Sequence, residues 1–219
     1  QGVLGGLAVL WLLPAPIAVA HAGLAQLFFA LTVALTLVTS RGWIQGYDGA
    51  TSATAARDER LRRLLLATPI VVFVQILLGA TMRHTGAGLA IPDFPLAFGQ
   101  LAPLARLSEP GVGVHFTHRV VALVAAGFVF ASAWRVWSWH RVATYLVRPA
   151  VLASGLVLAQ MALGAATVLS GRDIVVSTAH VVTGAVTFAT TVVLAMRAYR
   201  AAAGIPLSAP VPAAQGARG

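Results

Sequence analysis

The sequence predicts an all-α, polytopic membrane protein: a helical bundle built as a tandem four-helix repeat whose first repeat is truncated. Three observations lead to this prediction. Hydrophobic residues make up 58% of the chain and charged residues only 10%, with a mean hydropathy of +0.85, which is far outside the range of soluble proteins. Several apolar stretches reach the length of about 20 residues that crosses a bilayer core of about 30 Å. Two segments, beginning at Gln1 and Gln160, also match each other.

Five apolar stretches are long enough to be complete spans, and they lie near residues 16–39, 64–82, 112–137, 148–169 and 174–197. A sixth stretch, 1–13, is long enough for only part of a span. The chain begins with Gln1 rather than Met. We therefore expect the natural protein to extend upstream of this residue.

Basic residues predict the orientation of these spans. All fifteen basic side chains are arginine, and most of them lie in alternate connections and near the C-terminus, at positions 41, 57, 60, 62, 63, 135, 141, 148, 197, 200 and 218. By the positive-inside rule, the 40–63 linker, the 138–147 loop and the C-terminal tail face the cytoplasm, and the 83–110 loop is external. This topology describes a multi-pass protein of the inner (plasma) membrane. It also explains the net charge of +9, so the lipid bilayer is the expected partner and nucleic acid is not.

The two matching segments predict an internal repeat. Gln1 aligns with Gln160, Gly5 with Gly164 and His21 with His180 without a gap, so the hairpins 1–39 and 160–198 are predicted to be copies that run in the same direction. Two spans and the long external loop precede the second copy. If the repeat unit has four helices, about two further helices precede Gln1 in the natural protein.

This repeat divides the chain into four parts. Residues 1–39 form the C-terminal hairpin of the first repeat, 40–63 a cytoplasmic linker, and 64–197 the second four-helix repeat. The tail, 198–219, is rich in Ala, Pro and Gly and is expected to be disordered. The chain has no cysteine, which excludes disulfides, thiolate metal sites and covalent c-type heme attachment.

Three histidines carry the predicted chemistry. His118, His180 and His21 lie about seven, six and five residues into their spans from the external side, which places them at nearly the same depth. An ionisable side chain inside a span is costly and faces the bundle interior, so it is a candidate for a functional site. A single histidine of this kind often makes only a helix-to-helix hydrogen bond. Three at one depth, two of them related by the repeat, favour a binding site.

Two imidazoles on separate helices are typical of a heme held between facing helices of a bundle. Zinc normally takes three or four ligands, and a proton relay uses carboxylates, but all six acidic residues lie outside the predicted spans. We therefore predict that His118 and His180 are the axial ligands of a heme. His21 would pair with a histidine upstream of Gln1.

Other polar residues are predicted to lie near such a heme. Arg119 directly follows His118 and is expected to bind a heme propionate or a loop carbonyl, and Arg83 and His84 end their span at the same surface. These three residues are the predicted cofactor-binding residues beyond the axial ligands.

The external loop and the remaining polar residues have simpler interpretations. Gly86 and Gly88 allow close backbone approach or a positive φ, and the unusually apolar loop is either a lid over the external mouth or an ordinary surface turn. Buried amides in spans, as at Gln75, Gln160 and Gln26, are expected to hydrogen-bond neighbouring helices. His115 is expected to pack beside the site, and His140 to be structural.

Several stretches resemble a known family. "LLGATMRHTGAGLAIPDFPL", "HFTHRVVALV", "QMALGAATVLS" and "STAHVVTGAV" are similar to the C-terminal half of the heme A synthase family, and "QGVLGGLAVL" with "AVAHAGLAQLFFAL" is similar to the end of its N-terminal half. The resemblance extends to about residue 197. The combination of an HR pair after a "TGAGL…PDFP" loop with two "QxxLG…H" hairpins makes it fairly specific.

The resemblance implies an eight-helix enzyme of two four-helix halves that oxidises the C8 methyl of heme O to the formyl of heme A for cytochrome oxidase. It implies that His118 and His180 hold heme b and pass electrons, and that His21 matches one ligand of the substrate heme. The other ligand, and a catalytic glutamate three residues before it, would lie upstream of Gln1; His115 occupies the equivalent position in the second half. Some members carry cysteine pairs in external loops, which this chain lacks.

The partners implied are heme O and its synthase, a membrane electron donor and the downstream assembly of cytochrome oxidase. On this interpretation the chain as given holds the heme b pair but does not turn over. Two other classes remain open. A membrane cytochrome b subunit would contain heme b alone, and a transporter built from parallel repeats would be colourless.

Overall fold

The computed structural model describes residues 1–47 and 49–203, without the side chains of residues 49–52. The α-helices of this part of the chain are α1 (Gly2–Leu10), α2 (Ala15–Val38), α3 (Arg41–Gln45), α4 (Gly49–Arg57), α5 (Glu59–His84), α6 (Val112–His140), α7 (Thr144–Leu169) and α8 (Ile174–Ala202). Apart from one isolated bridge between Ala97 and Gln100, these residues form no β-structure. The predicted all-α fold is therefore confirmed.

Five helices, α2, α5, α6, α7 and α8, are long and apolar enough to cross a membrane, which confirms the five predicted spans. Helices α5 to α8 extend further than hydropathy indicates at one end or both, whereas α2 is displaced by a single residue. The Asp58 carboxylate caps the first turn of α5 by accepting a hydrogen bond from the Leu61 backbone N–H, so this helix begins before the predicted apolar stretch. Helix α8 continues to Ala202, and the rest of the tail predicted to be disordered, 204–219, lies outside the described residues.

Helices α5 to α8 form a four-helix bundle with a cyclic order of contacts. Helix α5 packs against α6, α6 against α7, α7 against α8, and α8 against α5. Helices α6 and α8 therefore stand at opposite corners of the bundle. Helix α2 packs outside it, against α5 and α8, and α1 packs against α2.

The two ends of the bundle are named here by their connections. The end that carries residues 85–111, between α5 and α6, is the loop side, and the end that carries residues 39–58, between α2 and α5, is the linker side. Helices α2, α6 and α8 run from the loop side to the linker side, and α5 and α7 run the opposite way.

Two hydrophobic clusters occupy the middle and the linker side of the bundle, and a third, smaller one lies on the loop side. One cluster contains Leu61, Val136 and Leu194, and a second contains Val129 and Phe188. Many of the other buried residues are alanines, which allow the helix backbones to approach closely.

An ion-pair cluster joins α5 and α6 on the linker side. Arg135 donates to both carboxylate oxygens of Asp58, at 2.8 and 3.1 Å, and the His140 Nε2 lies 2.9 Å from Asp58 Oδ2. Burial raises the pKa of the Asp58 carboxyl, but the hydrogen bonds from Arg135, His140 and the Leu61 N–H outweigh it and lower this pKa to about 2. These contacts give His140 the structural role that its position predicted.

We expect Asp58→Asn to lower the free energy of unfolding by about 2 kcal/mol at neutral pH, because the amide keeps the helix cap but loses the charge. The folded pKa lies below the ordinary value of 3.8. The native carboxylate therefore stabilises the fold above that value and loses this effect as the pH falls towards about 2. The difference in melting temperature between the two proteins should accordingly shrink over this range.

Thermal unfolding in detergent, followed by circular dichroism, measures this difference. Glu59→Gln is the matched control, because Glu59 pairs with Arg63 on the exposed surface, where an ion pair contributes little. Equal losses of melting temperature in the two variants would show that the contacts of Asp58 stabilise the fold no more than an exposed ion pair does.

Candidate functional site

Three histidines lie at the same level of the bundle. His21, His118 and His180 are each the seventh residue of their helix, counted from Ala15 in α2, Val112 in α6 and Ile174 in α8. All three helices begin on the loop side, so each histidine lies about 9 Å along its helix axis from that end. The hydrophobic clusters that contain Leu61 and Val129 lie on the linker side of this level.

Each histidine ring packs against a glycine of the preceding helix. A Cβ atom built on Gly79 would lie 2.9 Å from Cε1 of His118, one on Gly164 would lie 3.3 Å from Cε1 of His180, and one on Gly5 would lie 3.1 Å from Cε1 of His21. Such distances leave little or no room for a side chain. Glycine at these positions therefore makes space for the rings.

The same arrangement thus occurs three times, in the helix pairs α1–α2, α5–α6 and α7–α8. When the sequence is compared with itself at a fixed offset, only the first and third pairs match. The helices of these two pairs are joined by short connections, 11–14 and 170–173. The middle pair is joined by the much longer segment 85–111. Its only sequence signal is the third "QxxLG" motif, which ends at Gly79.

Glutamines four residues before two of these glycines hold the histidine backbone. Gln75 Nε2 donates to the carbonyl oxygen of His118 at 3.0 Å and lies 3.0 and 3.3 Å from the two ring nitrogens. Gln160 Nε2 donates to the carbonyl oxygen of His180 at 2.6 Å. The predicted helix-to-helix hydrogen bonds are thus present at both positions, whereas the Oε1 atom of Gln26 is buried and makes none within the described residues.

Two of the three imidazoles have unused hydrogen-bonding capacity. The Nδ1 atoms of His21 and His180 are buried and have no hydrogen-bond partner among residues 1–47 and 49–203. Buried polar atoms without a partner are rare, and a bound ligand is one explanation for them.

The donor set fits heme better than a bare metal ion. Within the described ranges, no group of three or more His, Cys, Asp or Glu side chains is placed to hold a metal ion. His118 and His180 instead project from α6 and α8, at opposite corners and at one level. One ligand from each side is what a six-coordinate heme iron requires.

The loop 85–111 is tied to the start of α6 by two residues next to the site. His115 is buried, and its Nδ1 accepts a hydrogen bond from the Ile91 N–H at 3.2 Å. Arg119 donates to the carbonyl oxygens of Ile91, Asp93 and Leu96, at 3.2, 2.7 and 2.8 Å. Of the two partners predicted for Arg119, the structure shows the loop carbonyls.

The loop is also internally braced. The Asp93 carboxylate accepts hydrogen bonds from the Gly99 and Phe98 N–H groups, which lower the pKa of this carboxyl. Gly86 has a φ of +75°, and a Cβ on Gly88 would lie 3.4 Å from the Arg172 side chain. These two glycines therefore serve the two purposes predicted for them.

Two predicted site residues remain apart from this network. Arg83 is exposed and His84 is half-buried at the loop-side end of α5. Neither side chain makes a hydrogen bond or ion pair with another described residue. Their predicted contact with a heme propionate stays a prediction.

We expect Arg119→Gln to loosen the loop, because a glutamine amide cannot reach three carbonyl groups that are held by one guanidinium. Hydrogen exchange of the Ile91, Phe98 and Gly99 amides should become faster, while the amides of the helix interiors keep their protection. Arg83→Gln is the control, since Arg83 is exposed on the same side and its side chain makes no hydrogen bond or ion pair with another described residue. Unchanged exchange in Arg119→Gln would show that the guanidinium does not hold the loop.

Comparison with known proteins adds to this geometry. The family described as COX15-CtaA, cytochrome oxidase assembly protein, matches residues 1–192. The chain is 32% identical over 193 residues to the heme A synthase of Halalkalibacterium halodurans, covering 87% of this chain and 61% of that protein. It is 31% identical over 187 residues to the heme A synthase of Geobacillus kaustophilus, covering 82% and 55%. The chain therefore spans a little over half of the length of these curated relatives.

Proposed function

Because the chain belongs to the COX15-CtaA family of cytochrome oxidase assembly proteins, we propose that it forms part of a heme A synthase-like membrane oxidoreductase. The reaction proposed is oxidation of the C8 methyl group of heme O to the formyl group of heme A. The proposed partners are those that this reaction requires: a source of heme O, a membrane electron donor and the assembly of cytochrome oxidase.

One observation carries the proposal. His118 and His180 stand at the same level on opposite corners of the four-helix bundle, and each ring is seated on a glycine of the adjacent helix. We assign these two residues as the side chains that would hold heme b. When bound there, heme b would supply a one-electron carrier within the membrane.

The chain's own residues orient the two ligands. Gln75 and Gln160 fix the backbone of the ligand histidines by hydrogen bonds to their carbonyl oxygens. Arg119 holds the loop over the same end of the bundle. We propose that Arg83 and His84 bind propionates, because Arg119 is already engaged by three carbonyl groups.

His21 is assigned to a second heme. It occupies the same place relative to Gly5 as His180 does relative to Gly164. On this proposal residues 1–39 belong to the half that holds the substrate heme and residues 64–197 to the half that holds heme b. The loop side then faces outwards and the arginine-rich linker side faces the cytoplasm.

An absorption spectrum of the purified protein in detergent tests the proposal. The described site predicts the reduced-minus-oxidised spectrum of a low-spin b-type heme in the chain itself. If the purified protein is colourless and still lacks this spectrum after reconstitution with heme, the transporter is favoured. Extraction of hemes from the whole natural protein, produced together with a source of heme O, separates the remaining alternatives. Heme A or heme O in the extract supports the enzyme, and heme b alone supports an electron-transfer subunit.

A further inference from the structure

A second concave site lies away from the histidines, on the linker side. It is an open cavity of about 600 Å³ between α2, α7 and α8, and the linker residue Tyr47 closes part of its rim. The cavity extends along α8 from Arg197 to Val186, roughly 16 Å at 1.5 Å per residue. Its mouth is at the start of α7 and near the end of α8, at the linker-side ends of two helices that are long and apolar enough to cross a membrane.

The mouth of this cavity is basic. Arg148 and Arg197 line it, and no Asp or Glu of the described part of the chain does. Arg148 is exposed, and its side chain makes no hydrogen bond or ion pair with another described residue. An anion is therefore the complementary ligand.

Arg197 is held in place by the backbone of α7. Pro149 has no N–H, so the carbonyl oxygen of Tyr145 lacks its usual donor in the helix. Arg197 Nη1 donates to this oxygen at 2.9 Å. The Nε of the same guanidinium is buried and has no hydrogen-bond partner among the described residues. A ligand oxygen in the cavity would satisfy it.

Two tyrosines complete the polar rim. The rings of Tyr47 and Tyr145 stack with their centroids 4.1 Å apart. Burial raises the pKa of the Tyr47 phenol, although nearby Arg197 and Arg200 oppose this effect. Tyr47 therefore stays neutral at physiological pH and can donate a hydrogen bond.

Below this rim the walls are apolar. Phe29 and Val33 of α2 face Leu152 of α7 across the cavity. A free inorganic anion would leave these walls without a partner, and a quinone ring would leave two guanidinium groups without a counter-charge. A molecule with an anionic head and a hydrocarbon tail satisfies both parts of the site.

We propose that this cavity binds one anionic glycerophospholipid, with its phosphate between Arg148 and Arg197 and an acyl chain along Phe29, Val33 and Leu152. The lipid bridges α2 to α7 and α8 of the four-helix bundle, so it joins the hairpin that carries His21 to the helix that carries His180. Basic pockets between spans at a membrane surface suit such headgroups.

Native mass spectrometry of the purified chain in detergent tests this proposal. With added dioleoylphosphatidylglycerol we expect one tightly bound lipid, and with dioleoylphosphatidylcholine weaker binding. Arg148→Gln should weaken binding of the anionic lipid about fivefold, the effect of one basic residue near a membrane surface. Arg197→Gln should weaken it at least as much, and Arg197→Lys should restore most of the loss.

Arg141→Gln is the matched control, because Arg141 is exposed on the same side but does not line the cavity. Circular dichroism identifies any variant that fails to fold, and Arg148→Gln is the decisive one because Arg148 supports no other contact. Equal binding of the two lipids, an unchanged affinity in Arg148→Gln, or an equal loss in Arg141→Gln would overturn the proposal. Full displacement of the lipid by inorganic phosphate would also overturn it, since the acyl chain would then contribute nothing.

Discussion

Replacement of His118 or His180 by alanine is expected to abolish the b-type heme spectrum of the chain. Each variant would leave the proposed iron with one of its two protein ligands, and His115 and His140 are already engaged, by the Ile91 N–H and on the linker side respectively. Loss of a residue that merely supports a metal ligand costs about 10- to 100-fold in affinity, so loss of the ligand itself should cost more. Titration of the apoprotein with heme, followed by absorption, measures the effect.

Two further variants separate the proposed roles of the histidines. His140→Gln should keep the spectrum, because a glutamine amide can still donate to Asp58 and the residue lies on the linker side. His21→Ala should also keep it, because His21 is assigned to the other heme. If His118→Ala and His180→Ala bound heme as tightly as the unsubstituted chain, the assignment of both ligands would be wrong.

Hydropathy was sufficient to predict the fold of this chain because the bilayer imposes a fixed length on each span. The ends of the helices could not be predicted in the same way. Helix α5 begins among charged residues because one carboxylate both caps the helix and pairs with Arg135, a residue that is distant in sequence. Such contacts between remote positions leave no local pattern.

The common level of the three histidines could be predicted because an imidazole inside a span is rare and because its depth follows from the number of residues between it and the end of the span. The glycines that receive the rings could not be assigned individually, since glycine is common in membrane helices and the sequence does not show which of them faces a ring. Gly79 and Gly164 each end a "QxxLG" motif and Gly127 does not, but the motif by itself does not show that a histidine ring packs against its glycine. In the structure the first two contact histidine rings, and a Cβ on the third would meet nothing within 4 Å.

The glycines also give the second large expected effect. We expect Gly79→Ala to weaken heme binding strongly, because its Cβ would lie 2.9 Å from Cε1 of His118 and the ring would have to move. A displaced ring would also lose its contacts with Gln75, whose Nε2 lies 3.0 and 3.3 Å from the two ring nitrogens, and would leave the position from which it would hold the heme. At Gly164 the corresponding distance is 3.3 Å, and a displacement of a few tenths of an ångström would relieve it. Gly164→Ala should therefore have the smaller effect.

Helix propensity alone predicts the opposite result, because alanine in a helix interior is about 0.5–1 kcal/mol more favourable than glycine. Gly127→Ala in α6 and Gly155→Ala in α7 isolate this contribution, since neither Cβ would meet another group within 4 Å. Both controls should bind heme normally and unfold at an equal or higher temperature. The heme affinity should be lowest in Gly79→Ala, intermediate in Gly164→Ala and highest in the two controls. This order would show that the contact with the histidine ring, and not the helix backbone, requires glycine. Equal heme affinity in all four variants would mean that the glycines do not position the ligands.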